Sequence, residues 1–406
     1  PKCGYASHPV DVVTGRAFTH PIVDLSLPGP LPLELKRMYS SKACKRDMGL
    51  GAGWAHTFGW EVEIQRRRIT VWNEQGIAVD FPVIPVGGET LGPWGWVLRR
   101  ETWGFAVDAD DGVWHLFSAG DEAGKRFRLT AVQDRNKNRI ALTYEDNRLV
   151  EIVDSAGRTI RVLSTKAGQI ASFQAKNAVA DGRWIAFATY GYDDRGRLVS
   201  ATDADGFTAR YGYDDDDRLV EDADRTGLTF HFRYDREGRC VESWGDYPGR
   251  RDPSLSAALP TYLQDGVTRL KGIHHCRFEY FANGYSEVAD STQVRRFFGT
   301  IHGTLSKAVE GGGVTTASYR DDGHLLAETD ALGATTSYDR DARGRIVRVT
   351  DPLGRTTVVE RDAAGLAISI VDPAGGITTM ARDRAGNVQI YTDAAGAVTS
   401  AKHDER

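Results

Sequence analysis

Short runs of apolar and β-branched residues alternate with polar turns along the C-terminal part of the chain. From residue 320 onward, glycines recur at alternating steps of 10 and 11 residues, and seven of these eight follow an Asp placed three positions earlier. Asp at the first position and Gly at the fourth favour a type I turn. The runs between turns, such as 345–350 and 376–381, predict strands of about 20 Å. The pattern therefore predicts a sheet whose 21-residue repeat holds two strands and two turns.

The same unit can be followed upstream, where a tyrosine opens each copy. Tyr213 and Tyr234 follow Tyr192 at steps of 21, and a degenerate copy begins near Tyr144. We predict that the repeat is set by Asp and Gly residues that occupy its turns. These structural positions are Asp193, Gly196, Asp203, Gly206, Asp330, Gly333, Asp341, Gly344, Asp351, Gly354, Asp362, Gly365, Asp372, Gly375, Asp383, Gly386, Asp393 and Gly396.

The N-terminal third differs in composition from the repeats. Seven of the nine tryptophans and nine of the fourteen prolines lie within the first 115 residues. A shift of this kind predicts a boundary, which divides the chain into an irregular domain at 1–130 and repeats at 131–406. The interval 239–318 matches the repeat poorly, and within it 252–259 predicts a short helix or a loop.

Composition excludes several classes of protein. Lys and Arg number 51 against 56 Asp and Glu, a formal charge of −5, which lacks the basic excess of a nucleic-acid binder. No run approaches the ~18 apolar residues of a membrane span, so we expect a soluble protein. Four scattered cysteines without a CxxC pair predict small buried side chains. Because the chain begins at Pro1 and stops within the pattern at Arg406, we expect it to be a fragment.

Two sets of motifs resemble one family. Residues 192–199 (YDDRGRLV) and 202–208 (TDADGFT) resemble the YD repeat of bacterial Rhs proteins, teneurins and Tc-type toxin components. Residues 9–15 (PVDVVTG), 24–33 (DLSLPGPLPL) and 51–54 (GAGW) resemble the domain that opens the Rhs core. The resemblance covers nearly the whole chain.

The resemblance implies an all-β fold in which a YD-repeat sheet spirals into a hollow shell, or cocoon, with the N-terminal domain capping one end. In Rhs effectors the shell encloses a toxin domain that is cleaved from the C-terminus of the same polypeptide. The implied partners are that toxin domain, the rest of the shell, a PAAR-like tip with its VgrG spike, and an immunity protein. The implied localisation is the bacterial cytoplasm, followed by export through type VI secretion.

The later copies depart from the family pattern. Arg340, Arg361, Arg382 and His403 stand at the tyrosine position, which we expect to weaken the aromatic part of the motif. The sequence does not include the PAAR-like tip, the toxin domain or the DPxGL-type self-cleavage element of the family. Residues 351–354 (DPLG) and 372–375 (DPAG) resemble that element superficially, but they fall in phase with the turns and are interpreted as ordinary turns.

The strands themselves favour a shell over a packed sandwich. A sandwich keeps one face consistently apolar, whereas Ala327, Arg348, Ser369 and Ile390 occupy equivalent positions here. A sheet that has water or a partner on both sides tolerates such a mixture.

Two clusters carry metal-binding residue types. The acidic run 214–217 offers hard ligands for Ca²⁺, but it falls at a turn and carries Asp217 in place of glycine, so a solvated turn is favoured. Residues 108–112 also hint at a calcium loop but lack its ligand ladder. His274, His275 and Cys276 are possible zinc ligands, although neighbours in a strand point to opposite faces and no second cluster follows. We therefore predict no metal and no cofactor.

Other candidates are also interpreted structurally. The glycine-rich 49–53 lacks the flanking elements of a phosphate loop. Arg66–Arg68 and Arg99–Arg100 lie beside aromatics, as in nucleic-acid grooves, but solvated or edge-protecting charges are favoured, and we expect no nucleic acid. No nucleophile and base can be paired from sequence.

The sequence thus predicts a non-catalytic part of a bacterial Rhs toxin, whose full-length protein cleaves itself and carries a toxin. The resemblance implies that the shell keeps an effector domain away from its producer until delivery, by type VI secretion. The alternatives are a cell-surface adhesion or glycan-binding protein that uses exposed Trp and Tyr, and a Tc-type shell component.

Overall fold

The computed structural model describes residues 4–109, 112–119, 124–176, 182–249, 261–300 and 303–403. Within these ranges the chain forms strands and two single-turn 3-10 helices, Ser41–Ala43 and Pro93–Gly95. No helix in the described ranges is long and apolar enough to cross a membrane. The predicted all-β fold with one large sheet is confirmed, while the segment 252–259 lies outside the described residues.

Two small sheets precede the large one. The first two strands pair antiparallel with each other, and the next three form a separate antiparallel sheet. The strands are β1 Tyr5–Ala6, β2 Val10–Asp11, β3 Ile22–Leu27, β4 Leu33–Tyr39 and β5 Trp54–His56.

The next eight strands form a ring. They are β6 Glu61–Ile64, β7 Arg68–Trp72, β8 Ala78–Pro82, β9 Glu89–Leu91, β10 Val97–Glu101, β11 Gly104–Asp108, β12 Val113–Ala119 and β13 Arg126–Asp134. Pairing of Phe127 with Val62 closes the ring between β13 and β6, and between β8 and β9 the ring of Phe81 packs against Gly92. The interior is apolar and fully buried at Val62, Ile69, Val71, Leu98, Phe105, Val107, Phe117 and Leu129.

Strand β13 belongs to both parts of the sheet. Its first residues, 126–128, pair with β6, and its last, 131–133, pair with the following strand, β14 Arg139–Glu145. The sheet therefore branches within the strand that spans the predicted boundary near residue 130, and from there it continues as a long coil of consecutive antiparallel strands.

The first part of the coil, β14–β27, has buried residues in every strand. After β14 its strands are β15 Arg148–Val153, β16 Thr159–Ser164, β17 Ile170–Lys176, β18 Trp184–Tyr192, β19 Leu198–Asp203, β20 Thr208–Tyr213, β21 Leu219–Ala223, β22 Thr229–Tyr234, β23 Cys240–Asp246, β24 Ile273–Tyr280, β25 Tyr285–Ala289, β26 Val294–Gly299 and β27 Leu305–Glu310.

The second part, β28–β36, has no buried residue in any strand. Its strands are β28 Gly313–Tyr319, β29 Leu325–Thr329, β30 Thr335–Arg340, β31 Ile346–Thr350, β32 Thr356–Arg361, β33 Ala367–Val371, β34 Ile377–Arg382, β35 Val388–Thr392 and β36 Val398–Ser400.

The coil returns to its own beginning. The side-chain amide of Asn387, in the turn after β34, donates to Asn136 Oδ1 in the β13–β14 hairpin at 2.9 Å. Two ends of the run β14–β34 meet here, and for a circular cross-section about 20 strands at ~4.8 Å each would give a perimeter near 100 Å and a bore of about 30 Å between backbones. The coil therefore surrounds a space much wider than a packed two-sheet core.

Candidate functional site

The Asp and Gly residues singled out in the sequence lie at the hairpin turns of the coil. In all nine of these turns the Gly amide donates to the Asp carbonyl, and Asp Oδ1 accepts from the amide four residues after the Asp. The nine glycines have φ between +75° and +92°, a region that glycine enters without steric cost. Each turn is therefore held by its own two signature residues.

Arginine reinforces several of these turns. Arg197 Nε donates to Asp193 Oδ2 at 2.7 Å, and Arg345 donates to Asp341 at 2.8 Å. Partial burial alone would raise the pKa of the Asp193 carboxyl, but hydrogen bonds from the Arg197 amide and guanidinium hold it below its usual value. The turn is therefore stabilised when the Asp193 carboxyl is ionised.

The two edges of the coil differ in packing. On one edge, named the stacked edge, each turn glycine lies under a side chain from an adjacent turn or loop; these glycines include Gly168, Gly196, Gly238, Gly323, Gly344, Gly365 and Gly386. On the other, the open edge, a Cβ would meet no atom within 4 Å at Gly157, Gly206, Gly333, Gly354, Gly375 or Gly396. The stacked edge is thus the close-packed rim of the coil.

This asymmetry predicts unequal costs for the same substitution. Gly354→Ala, on the open edge, is expected to cost about 1–2 kcal/mol from left-handed strain. Gly344→Ala is expected to cost about 1–3 kcal/mol more, since its Cβ would lie 2.2 Å from the buried His324 ring. Urea unfolding of both variants measures the difference, and equal midpoints would contradict the stacked-edge description.

The tyrosine position carries a hydrogen bond that the sequence did not reveal. A bulge in the strand precedes this residue, and its side chain donates to the carbonyl fifteen residues earlier: Tyr213 to Leu198 at 2.5 Å and Tyr234 to Leu219 at 2.7 Å. Burial raises the pKa of Tyr213 well above its usual value, so the hydroxyl remains a donor.

Arginine at this position makes the same hydrogen bond, so the motif loses its aromatic ring there but keeps this contact and its turns. Arg361 donates through Nη2 to the Ile346 carbonyl at 3.0 Å and through Nη1 to the Gly365 carbonyl at 3.0 Å. Arg340 and Arg382 repeat this geometry, and His403 Nε2 lies 2.8 Å from the Val388 carbonyl oxygen. What these positions share along the coil is a hydrogen-bond donor long enough to reach the carbonyl fifteen residues earlier, rather than an aromatic ring.

The N-terminal segment, residues 4–60, covers the face of the coil that carries these tyrosines. Trp54 is fully buried, its ring lies 4.6 Å from that of Tyr211, and its indole donates to the Tyr213 hydroxyl at 2.8 Å. Nearby, the Leu219 amide donates to the Tyr39 hydroxyl at 2.8 Å. Further along, the Ser286 hydroxyl donates to the Val12 carbonyl at 2.5 Å, and a Cβ on Gly4 would lie 3.0 Å from Leu305 of β27, so the segment lines the coil as far as β27.

A buried ion pair anchors this segment. Arg37 of β4 pairs with Asp24 of β3, and their side chains are 7% and 6% exposed. The Tyr190 hydroxyl donates to Asp24 at 2.7 Å, and Arg37 lies 3.4 Å from the Tyr211 hydroxyl. Burial would lower the pKa of Arg37, but its interactions with Tyr211, with the Asp24 carboxylate and with Tyr190 raise it above its usual value. The guanidinium therefore stays charged inside the interface.

The described residues leave the equivalent face of β28–β36 uncovered. In β30, β32 and β34, the repeat position of Tyr190 and Tyr211 is occupied by Tyr338, Val359 and Met380. These residues pair across the strands with Val349, Ile370 and Tyr391 respectively, which gives three apolar pairs. None of the six is buried, and Tyr391 is 41% exposed. We name these six residues the uncovered face.

The candidate metal ligands are engaged in other contacts. Asp217 has φ +65° and lies within 3.6 Å of Lys45, Arg195 and Arg197, so the acidic run is a neutralised turn. The described residues hold no cluster of three potential metal ligands. The 108–112 loop lies partly outside the described residues.

The His–His–Cys sequence is divided by its packing. His275 lies 3.0 Å from Glu242 and accepts a hydrogen bond from the Lys271 amide, while His274 is exposed with φ +48°. Burial raises the pKa of the Cys276 thiol to about 11, which keeps it protonated and a poor metal ligand.

The cysteine expectation holds for two of the three described residues. Cys240 and Cys276 are buried, whereas Cys44 is half-buried; Cys3 lies outside the described residues.

The glycine-rich and basic segments have structural positions. A Cβ on Gly51 would lie 2.7 Å from the Gly196 carbonyl, so this loop packs on a turn of the coil. The predicted solvated charge is found at Arg66 and Arg67, which lie in the exposed β6–β7 hairpin. The alternative, an edge-protecting charge, does not apply to Arg99, which lies in β10 between β9 and β11 and pairs with Glu89 at 2.6 Å.

Cations cover tryptophan faces that a glycan would need. Arg46, Arg99, Arg161 and Lys271 lie 4.0–4.3 Å from the ring centres of Trp72, Trp114, Trp184 and Trp244 respectively. A sugar ring stacking on any of these faces would first have to displace the cation.

Comparison with known proteins identifies the two sequence regions. The RHS Repeat family matches residues 192–226, 319–356 and 361–398, and a domain of unknown function, DUF6531, matches 7–81. Double-stranded DNA deaminase toxin A of Burkholderia cenocepacia is 27% identical over 223 residues, which cover 51% of this chain and 15% of that protein. The chain thus spans a small part of this relative.

Two solved structures are similar at low identity. The Photorhabdus luminescens Tc holotoxin pore is 12% identical with a TM-score of 0.46, over 96% of this chain and 22% of that one. TcdB2–TccC3 is also 12% identical with a TM-score of 0.40, over 93% and 24%. The three RHS repeat matches fall on β18–β21 and on β28–β36 of the coil, so the chain carries repeats of the Rhs, or YD-repeat, family.

Proposed function

We propose that this chain is part of the wall of a container that holds a toxin domain of the same longer polypeptide until delivery. The observation that carries the proposal is the uncovered face. It continues the surface that residues 4–60 line in β14–β27, yet its Tyr338, Val359 and Met380 remain unburied. A partly exposed apolar surface that continues in register over several strands is typical of an interface. The toxin named for the Burkholderia relative supports this class of role.

The wall acts by exclusion rather than by chemistry. Consecutive strands pair along the coil, so no strand edge opens between β14 and β36 in the part of the chain that the structure describes. The bore of about 30 Å leaves room for polypeptide beside the N-terminal segment. Apolar pairs on the uncovered face would contact the enclosed domain and retain it.

We further propose that the container belongs to a type VI secretion effector, with a PAAR-like tip, a VgrG spike and an immunity protein as partners. The bacterial cytoplasm is then its site before export. The Rhs-like opening segment supports this assignment. A Tc-type toxin would use the same wall, and deletion of the type VI machinery separates the two: loss of killing of neighbouring bacteria supports the first, and unchanged killing supports the second.

Limited proteolysis of the full natural polypeptide tests enclosure. We expect the toxin domain to resist protease while the wall is intact. Ile370→Gln on the uncovered face is expected to shorten that protection several-fold by weakening apolar retention, whereas Ser369→Gln, its neighbour on the opposite face, is the matched control. A toxin domain digested as fast as the isolated domain would overturn the proposal.

A further inference from the structure

The coil closes on the ring through a seam of turns and loops. Its stacked edge meets the ring and the β13–β14 hairpin at three places. The Trp94 backbone amide donates to the Asp322 carbonyl at 3.0 Å, and the Arg343 guanidinium lies 3.9 Å from the Glu89 carboxylate. The Asn387 side-chain amide donates to the Asn136 side-chain oxygen. Arg135 adds a contact of 3.5 Å to Asn387. In the described residues, the strands β28–β36 form ladders only with their neighbours along the coil, so no strand ladder crosses this seam.

The seam is weaker than the sheet on either side of it. Neighbouring strands such as β30 and β31 share a ladder of paired residues, whereas the seam depends on a few polar contacts between exposed turns. Such contacts exchange readily with water and contribute little net stability. If the wall opens anywhere without unfolding, the seam is where the fewest interactions are lost.

Trp94 occupies a strained position at this seam. Its φ is +57°, a left-handed conformation that is costly for a bulky residue. Its buried indole nitrogen has no hydrogen-bond partner among the described residues, although the ring packs so closely on Gly323 that a Cβ there would lie 2.5 Å from it. Both features disfavour the docked state and would be relieved if Trp94 swung into water.

The loop around Trp94 is built for such a movement. Gly92 and Gly95 flank Pro93 and Trp94, and the Gly92 amide donates to the Trp96 carbonyl at 2.7 Å. This bond closes the loop at its base, so the tip can move while β9 and β10 remain paired.

We propose that the loop 92–96 is a latch: Trp94 docked on the turn 320–323 holds the seam closed, and its release lets the coil open along the seam with every strand ladder intact. Passage of an enclosed domain through that opening rests on the proposed function. The opening itself is a property of this chain alone, so its measurement is independent of any cargo.

Cross-linking across the seam tests the latch. Asn136→Cys and Asn387→Cys are introduced together with Cys3→Ser and Cys44→Ser, and a short bismaleimide reports closure. Trp94→Gly is expected to lower the cross-linking rate about five- to tenfold, the scale of coupling between two distinct sites. Trp103→Gly, in an exposed hairpin of the same ring, is expected to change nothing.

A second cysteine pair controls for general loosening. Ser337→Cys and Thr350→Cys lie directly opposite each other in β30 and β31, and their cross-linking is expected to be the same with and without Trp94. If Trp94→Gly fails to fold, Trp94→Asn, which removes the ring and tolerates the left-handed backbone, must lower seam cross-linking in its place. An unchanged seam rate, or an equal fall in both pairs, would overturn the latch.

Discussion

Replacing Arg37 by methionine is expected to lower the free energy of unfolding by about 3–5 kcal/mol, the usual cost of breaking a buried ion pair. The substitution leaves the Asp24 carboxylate 6% exposed without its cation. Among the described residues, the Tyr190 hydroxyl is then the hydrogen-bond donor that remains to the Asp24 carboxylate. Methionine preserves most of the side-chain volume, so the loss measures charge rather than packing.

Urea unfolding of this chain gives the measurement, and two further variants interpret it. Arg37→Met with Asp24→Asn removes both charges and is expected to recover much of the loss, because no unpaired charge stays buried. Arg348→Met removes a half-exposed arginine from the ion pair with Asp339 and is expected to change stability by less than about 1 kcal/mol. A double variant as unstable as the single one would show that the ion pair is not the anchor.

Sequence periodicity was sufficient to predict the coil, because its information is local. Asp341 and Gly344 form their turn within four residues, and the apolar runs on either side need only pair with the next hairpin. Neither the spacing nor the turn chemistry depends on distant parts of the chain.

The side chains at the tyrosine position of the repeat show what the periodicity of residue types concealed. Tyr213 and Arg361 differ in charge and shape, so a search for a repeated residue type counts Arg361 as a loss. Both satisfy a carbonyl fifteen residues earlier, beside a bulge. A search for repeated hydrogen-bond donors at the 21-residue step would have found them.

The lining of the coil could not be predicted from the sequence in any comparable way. Trp54 meets Tyr213 across 159 residues, and Arg37 meets Tyr211 across 174. Such contacts depend on how the coil curves around the N-terminal segment, a property of the whole sheet. The seam has the same origin, since Asn136 and Asn387 are 251 residues apart.

Truncation of Trp54 to alanine is expected to cost about 3–5 kcal/mol, as for other fully buried tryptophans. The side chain is fully buried, packs between Tyr39 and Tyr211, and donates to the Tyr213 hydroxyl. Its loss leaves a cavity between β5 and β20, where little else can collapse because both backbones are fixed by their own ladders.

Trp54→Phe separates packing from hydrogen bonding. It keeps an aromatic ring at the interface but removes the donor to Tyr213, and it is expected to cost about 1–3 kcal/mol. Trp103→Ala, at a side chain that is 46% exposed, is the control and is expected to have little effect.

Hydrogen exchange locates the damage from Trp54→Ala. If the N-terminal segment is held on the coil by this residue, amides of β4, β5 and β20 should exchange faster while those of β32–β34 keep their wild-type rates, since the uncovered part of the coil never contacted Trp54. Uniform acceleration along the whole coil would instead mean that lining and coil unfold as one unit. In that case the segment 4–60 would be part of the wall's own core rather than a lining laid on it.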